Sequence, residues 1–272
     1  MNDVAIITKI TTQQNNKDRF NIFMDHGKGE EYAFSVDSAV LIRFELKKGM
    51  ELDEFSILEV QYQDGIRKAY NRAVNYLARR MRSEKEIRDY LTQKEIEEPV
   101  INEVIHKLAV QKYINDEEYA YSYLRTQMNT TDKGPDLITM ELKERGINEG
   151  IIKHVITEYP KEEQVEKAIK VAEKVIKKNS KESQRIVKQK AEQFLLRKGY
   201  SFDVIHLALS EADIAKEQDE EMEAIRYQGE KTHRKYSTLT GFDYSQKMKQ
   251  ALFRKGFPIE LIEKYLEEVE KS

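Results

Sequence analysis

The chain has 272 residues, of which 39% are hydrophobic and 35% are charged, with a formal net charge of −3. It contains no cysteine, which excludes disulfides, thiol nucleophiles and thiolate metal sites and is typical of a reducing compartment. No segment approaches the roughly 18 consecutive apolar residues of a membrane span, and the N-terminus lacks a basic and apolar leader, so we expect a cytoplasmic protein without membrane contact.

The N-terminal residues predict a small β-rich module. Short runs rich in β-branched and aromatic residues are candidate strands at 4–12, 19–25, 30–36 and 54–60. Gly27 and Gly29 fit a hairpin turn between the second and third runs. Asp37 is a candidate cap for a short helix that Gly49 would end. We expect this module to occupy residues 1–63.

The rest of the chain has helical periodicity and repeats one motif four times. The pattern is L-x-x-K/R-G, then an aromatic residue or isoleucine, then an aliphatic pair four positions later. The motif begins at four leucines spaced by 51, 53 and 57 residues: Leu91, Leu142, Leu195 and Leu252. Glycine supplies a left-handed helix C-cap, and the basic residue complements the helix dipole. Because Glu95 replaces glycine in the first copy, that corner is expected to be strained or closed differently.

A copy of about fifty residues accommodates three helices. In the first copy they are expected over 66–81, 83–95 and 98–111, with a capping box that starts at Ser83, and in the second copy Asp116 is expected to cap the next helix. Small helical units must stack to bury their apolar faces. The fold class is therefore mainly α: tandem three-helix repeats that form an elongated curved rod, with the β-rich module in front. The expected repeat boundaries are 64–115, 116–162, 163–215 and 216–272.

The small net charge is a sum of opposed local charges. Residues 66–94 carry nine basic and three acidic side chains, and residues 170–200 carry ten and three. Residues 1–65 carry seven basic and twelve acidic side chains, and residues 211–223 carry one and seven. Such blocks suit contacts with polyanions or charged protein surfaces, and they equally suit solvated helix faces.

Catalytic signatures are absent from the sequence. There is no phosphate-binding G-x-x-x-x-G-K-S/T loop and no G-x-S-x-G nucleophile turn, and the five histidines are scattered without metal-ligand spacing. We therefore expect a protein that is not an enzyme and that holds no metal and no cofactor.

The runs 79–127 and 134–147 resemble the RecX family of bacterial recombination regulators, in the longer form found in Gram-positive bacteria. The residues that fit the family pattern are Arg82, Ser83, Glu86, Leu91, Tyr113, Asp116, Tyr119, Ala120, Arg125, Gly134, Pro135, Ile138, Glu141, Leu142, Gly146 and Ile147. The resemblance is strong over the middle third of the chain and weaker over the C-terminal repeats.

The resemblance implies a non-enzymatic modulator of the RecA recombinase in homologous recombination, DNA repair and the SOS response. Family members bind RecA and its filament on single-stranded DNA, and they inhibit ATP hydrolysis and strand exchange by blocking filament growth or promoting disassembly. We expect a monomer whose partners are RecA, the RecA filament and, weakly, single-stranded or double-stranded DNA.

Two sets of basic residues are candidates for these contacts. The first basic set, for the RecA filament or DNA, is Arg72, Arg79, Arg80, Arg82, Arg88, Lys94, Arg125, Lys133 and Arg145. The second basic set is Lys174, Lys177, Lys178, Lys181, Arg185, Lys188 and Lys190. Arginine forks bind carboxylate or phosphate directly, whereas clustered lysines suit a diffuse field. The alternative function is a helical-repeat DNA-binding protein that acts independently of RecA through the second set, with steep salt dependence.

Overall fold

The computed structural model describes residues 4–212 and 218–270, which form one four-stranded sheet and thirteen α-helices. The chain divides into two compact units. Unit 1 comprises Met1–Tyr119 and Arg145–Ile147, and unit 2 comprises Ala120–Glu144 and Asn148–Ser272.

The N-terminal module is an antiparallel sheet with one short helix. Its strands are Val4–Thr12 (β1), Arg19–Asp25 (β2), Glu30–Asp37 (β3) and Glu51–Asp53 (β4), in the spatial order β3-β2-β1-β4, and its helix is Ser38–Arg43 (α1). Alternate residues of β1 face the core, so that Ala5 and Ile7 are buried while Val4 and Ile6 are exposed. The β-rich module and three of its four expected strands are confirmed.

Three-helix modules follow the sheet. Module 1 is Glu54–Leu77 (α2), Glu84–Thr92 (α3) and Glu98–Val110 (α4); module 2 is Asp116–Thr130 (α5), Pro135–Glu144 (α6) and Glu149–Val155 (α7), the last continued by a 3-10 turn over Ile156–Glu158. Module 3 is Lys161–Lys178 (α8), Gln184–Arg197 (α9) and Phe202–Glu211 (α10); module 4 is Gln218–Tyr236 (α11), Gly241–Arg254 (α12) and Ile259–Glu270 (α13). The mainly α class with tandem three-helix repeats is confirmed. The expected boundary at 215/216 lies outside the described residues.

The expected strand over 54–60 is wrong, because these residues begin helix α2. The Asp53 side chain accepts a hydrogen bond from the Ser56 backbone nitrogen at 2.8 Å, which is an N-cap. Val60 is buried against the sheet, whereas Phe55 is 77% exposed. In so short a window, the alternating apolar residues fit a strand and a helix equally, and the cap with one-sided burial favours the helix.

A buried carboxylate ties α2 to the sheet at the point where the sequence suggested a boundary. Asp64 lies in mid-helix and receives Arg19 Nη2 and Lys68 Nζ on one oxygen, each at 2.9 Å. Its other oxygen accepts the Asp37 backbone N–H at 2.7 Å. Burial opposes ionisation of Asp64, but these hydrogen bonds outweigh it and lower the pKa of the carboxyl. Helix α2 therefore contacts the sheet and is also the first helix of module 1.

The expected turns and caps are confirmed at most positions. Asp37 caps α1 by accepting the Ala39 N–H at 3.0 Å, although α1 ends at Arg43, six residues before Gly49, and the chain turns through a positive φ at Glu45. The capping box at Ser83 is present.

The cap of α5 differs from the expectation. Asn115, rather than Asp116, accepts the first free N–H groups of this helix, at 3.0 and 3.2 Å. The Asp116 carboxylate instead accepts the Glu84 backbone N–H at 2.8 Å, at the start of α3. It thereby connects the first turn of α5 to the start of α3 within unit 1.

The repeated corners have the expected left-handed backbone. Gly146, Gly199 and Gly256 have φ values of 79°, 84° and 85°. Glu95 holds the same conformation with φ of 59°, at a cost of about 1–2 kcal/mol for a residue with a Cβ. The strain expected at the first corner is confirmed.

Candidate partner-binding surfaces

Each of the three repeated corners that contain glycine is joined to the module before it by a similar contact. The backbone carbonyl of the basic residue that precedes the glycine accepts a hydrogen bond from the residue that starts the second helix of the preceding module. The three bonds run from Ser83 Oγ to Arg145 O at 2.8 Å, from Gly134 N to Lys198 O at 2.7 Å and from Ser183 Oγ to Lys255 O at 2.6 Å. We call these contacts the joints.

The glycines of the joints do more than cap a helix. Because they have no side chain, the corner can lie close to the preceding module. A Cβ on Gly199 would overlap the Leu137 backbone nitrogen and lie 2.7 Å from Leu137 Cβ. A Cβ on Gly256 would lie 2.6 Å from Ser183 Oγ. The corner at Glu95 has no three-helix module before it and makes no joint, so a side chain is tolerated there. The joints therefore explain why three of the four corners have glycine and why the first corner can have Glu95 instead.

Arg82 of the first basic set is an internal residue rather than a surface cation. Its side chain is 12% exposed, its guanidinium lies 4.0 Å from the Tyr76 ring centroid, and Tyr76 stacks on Tyr90 at 4.0 Å. Glu86 Oε1 lies 3.6 Å from Arg82 Nη1. The Arg82 side chain thus packs within module 1.

Arg80 is also paired within unit 1. It meets Glu86 at 2.6 Å, in contact with the first joint. Burial would raise the pKa of Glu86, but the Ser83 backbone N–H and Arg80 outweigh it and lower that pKa. Burial raises the pKa of the neighbouring Tyr119, and the Glu86 charge adds to that effect while Arg145 opposes it. Arg80 and Arg145 therefore belong to the network that supports the joint.

Two further cations of the first set have internal carboxylate partners. Arg88 bonds Glu84 Oε1 at 2.8 Å and Glu98 Oε1 at 3.1 Å. In unit 2, Lys133 Nζ meets Glu141 Oε1 at 2.5 Å. A partner that recruited these cations would first have to replace their present contacts.

The remaining members of the first set are exposed. Arg72 lies on α2 and Arg79 directly after it, and within the described residues neither side chain has an ion-pair or hydrogen-bond partner. Lys94 lies 5.8 Å from the Tyr90 ring centroid. In unit 2, Arg125 lies 6.0 Å from the Tyr121 ring. Arg72 and Arg79 are the cations best placed for a partner of unit 1.

Part of the second basic set lines a groove in module 3. The groove lies between α8 and α9, has a volume of about 580 Å³, and is lined by Lys174, Lys178, Lys190, Arg197 and Phe194, among others. Lys190 is paired with Glu182 at 3.0 Å and Lys174 lies 3.5 Å from Asp132. Lys178 is exposed. The structure therefore brings a basic groove and an aromatic ring together.

The remaining members of the second set lie outside this groove lining. Lys177, Arg185 and Lys188 are exposed, and Lys181 Nζ lies 4.5 Å from the Tyr227 ring centroid.

Sequence reasoning missed two residues of the groove. Phe194 and Arg197 follow Lys190 by four and seven positions on α9, a spacing that places all three on one helix face. The Arg197 guanidinium lies 5.7 Å from the Phe194 ring centroid. The spacing of four and seven residues from Lys190 was the sequence signal that could have identified Phe194 and Arg197.

Among residues 4–212 and 218–270 there is no group of three or more histidine and carboxylate side chains placed to hold a metal ion. No helix in that part of the chain is long and apolar enough to cross a membrane.

Family models match the chain from the sheet to the last helix. The model of the regulatory protein RecX N-terminal domain matches residues 5–53. The models of the first and second RecX three-helix domains match 69–108 and 115–156. The model of the third matches twice, at 162–209 and 219–266, which makes module 4 a second copy of module 3.

Curated relatives and solved structures agree with these matches. Regulatory protein RecX of Bacillus velezensis is 48% identical over 98% of this chain and all of the relative, and that of Bacillus subtilis is 47% identical over the same shares. A crystal structure of regulatory protein RecX has a TM-score of 0.68 at 38% identity, covering 76% of this chain and all of its own. RecX from Lactobacillus salivarius has a TM-score of 0.54 at 42% identity, covering 56% and 99%. The chain belongs to the RecX family of regulatory proteins.

Proposed function

We propose that this chain regulates the RecA recombinase by binding RecA and its filament on single-stranded DNA, mainly as an inhibitor of ATP hydrolysis, strand exchange and filament growth. The observation that carries the proposal is the similarity over nearly the full length to proteins named regulatory protein RecX. The proposal includes action by binding without catalysis, a role in recombination and the SOS response, and a cytoplasmic location where RecA acts on chromosomal DNA.

The arrangement of the modules supports this proposal. A chain of four similar modules can make several weak contacts with a polymer of identical subunits, and linked contacts add to a high combined affinity. Arg72 and Arg79 offer exposed guanidinium groups that have no ion-pair partner among residues 4–212 and 218–270 and can pair with carboxylates or phosphates of a partner. We therefore assign the main contact of unit 1 to these two residues and a supporting contact to Lys94.

The test measures ATP hydrolysis by a preformed RecA filament while this protein is titrated in. The wild type should slow hydrolysis, and Arg72→Glu with Arg79→Glu should raise the half-inhibitory concentration by about tenfold or more, because charge reversal converts attraction into repulsion. Lys47→Glu with Lys48→Glu is the matched control, since both lysines are exposed and the change in charge is the same.

Two results would count against this assignment. If the wild type binds bare DNA tightly but leaves hydrolysis unchanged, regulation of RecA is rejected. If the arginine variant inhibits as well as the lysine control, Arg72 and Arg79 are removed from the interface while the regulatory role stands.

A second candidate function is DNA binding that is independent of RecA, favoured by the basic groove of module 3. Lysines that contact phosphates beside an aromatic ring suit single-stranded DNA, because bases stack on aromatic side chains. Binding of a fluorescent oligonucleotide should then weaken steeply with salt. Lys174→Glu with Lys178→Glu should weaken it further, whereas binding that does not change with salt or with these substitutions would reject the groove as a DNA site.

A further inference from the structure

Unit 1 contains a concave pocket that neither the family match nor the proposed function assigns. It has a volume of about 230 Å³, between α1, α2 and α4, and is lined by Ala39, Val40, Arg43, Gln63, Ile66, Arg67, Tyr70, Lys107 and Gln111. Three of these side chains are cationic, and none of them is a carboxylate. The pocket is therefore electropositive, and it combines Arg43 of the acidic N-terminal module with Arg67 and Lys107 of module 1.

The cations of the pocket differ in how far they are neutralised. Arg67 Nε lies 3.3 Å from Asp37 Oδ1, so its charge is largely compensated. Arg43 Nη1 donates to Gln63 Oε1 at 2.8 Å, a neutral partner that leaves its charge uncompensated. Lys107 is half-buried, and within residues 4–212 and 218–270 no carboxylate pairs with it.

The hydrogen-bonding groups of the lining are mostly donors that remain available. Gln63 Oε1 already accepts from Arg43, and Gln111 Oε1 accepts from the Tyr70 hydroxyl at 2.5 Å. The remaining N–H groups of Arg43, the ammonium of Lys107 and the Gln111 amide nitrogen can still donate. A ligand for this pocket must therefore be rich in acceptor oxygens and carry negative charge.

We propose that this pocket binds a phosphate group. The uncompensated guanidinium of Arg43 and the ammonium of Lys107, with the partly neutralised guanidinium of Arg67, can together donate to the three or four oxygens of a phosphate, whereas a carboxylate offers two. The volume corresponds to about eight water molecules at roughly 30 Å³ each, which holds a phosphate with a small attached group. The apolar floor of Val40 and Ile66 suits the non-phosphate part of such a ligand.

The phosphate can come from a free nucleotide or from the backbone of single-stranded DNA, and the experiment separates these sources. Calorimetric titrations of the full chain use inorganic pyrophosphate, ADP and a short oligothymidylate. Lys107→Gln and Arg43→Gln should each weaken binding at least about tenfold, the loss expected for one charge-assisted hydrogen bond. Lys48→Gln, an exposed lysine outside the pocket, removes the same charge and should leave binding unchanged.

Each outcome decides the proposal. Binding of pyrophosphate or ADP that the pocket variants weaken supports a free phosphate ligand, and binding of the oligonucleotide alone with the same sensitivity supports DNA as the source. Absence of binding for all three probes at millimolar concentration overturns the proposal, as does binding that the variants leave unchanged. Binding of an acidic peptide in place of all three probes overturns it in favour of a carboxylate ligand.

Both pocket variants should fold, because neither side chain is fully buried and neither holds an ion pair with any residue that the structure describes. Melting curves without ligand check this. Since no RecA is present, a negative result leaves the proposed regulatory function untouched.

Discussion

Substitution of Gly199 by alanine measures how much stability is lost when a joint glycine gains a side chain. The residue has φ of 84°, where a Cβ costs about 1–2 kcal/mol. The added Cβ would also overlap the backbone nitrogen of Leu137, and overpacking of this kind costs a further 1–3 kcal/mol or so. Backbone atoms cannot move aside as a flexible side chain can, so we expect a total loss of about 2–5 kcal/mol in the stability of unit 2.

Gly241→Ala is the matched control in the same unit. Gly241 also has a positive φ, 57°, but its Cβ would meet nothing within 4 Å, so only the conformational cost of about 1–2 kcal/mol applies. Urea unfolding followed by circular dichroism gives both losses, and hydrogen exchange shows whether the amides of α6 and α9 open first. Equal losses for the two variants would refute the close-approach function of the joint glycine.

Three further predictions concern unit 1. Glu95→Gly should raise the melting temperature, because removing the left-handed strain outweighs the extra freedom of glycine in the unfolded chain by up to about 1 kcal/mol; an unchanged or lower melting temperature would contradict this. Ser83→Ala should cost about 2–3 kcal/mol in urea unfolding, since it removes a helix cap and a joint hydrogen bond, whereas Ser201→Ala, which removes an exposed hydrogen bond to Asp203 but neither a helix cap nor a joint, should cost less. Asp64→Asn should destabilise unit 1 above pH 4 by breaking the buried pair with Arg19. Because the folded pKa of Asp64 lies below its unfolded value of about 3.9, this contribution is complete above that value and is lost as the pH falls through the folded pKa, so the two proteins should converge in acid.

The repeat made the helical part of the fold predictable. The motif recurs at four near-equally spaced positions, and in three of them a glycine after a basic residue identifies the helix end without knowledge of any tertiary contact, because the C-cap is a local structure. The helix over 54–77 was not fully predictable, since Asp64 and the adjacent Gly65 have the composition of a turn. In the structure the helix continues through these residues, and Asp64 is paired with Arg19, 45 residues away in the sequence.

The candidate contact residues were less predictable than the fold. Residue type identifies a cation, but it does not show whether a carboxylate already neutralises it. The four-residue spacings of Arg82 with Glu86 and of Glu84 with Arg88 were the available signals for internal pairing. The stacking of Arg82 on Tyr76 depends on the path of the chain after α2 and has no such local signal.

The joints also bear on how a chain of this kind can change in length. Each joint consists of a backbone carbonyl, a glycine and the residue that starts a helix, so its geometry depends little on the side chains elsewhere in a module. A duplicated module brings its own donor and its own glycine corner, and its neighbours keep their existing contacts. The double match of one domain model, at 162–209 and 219–266, is what such a duplication would leave. Whole modules can therefore be gained or lost as units, while insertions inside a module would disturb the spacing between its joints.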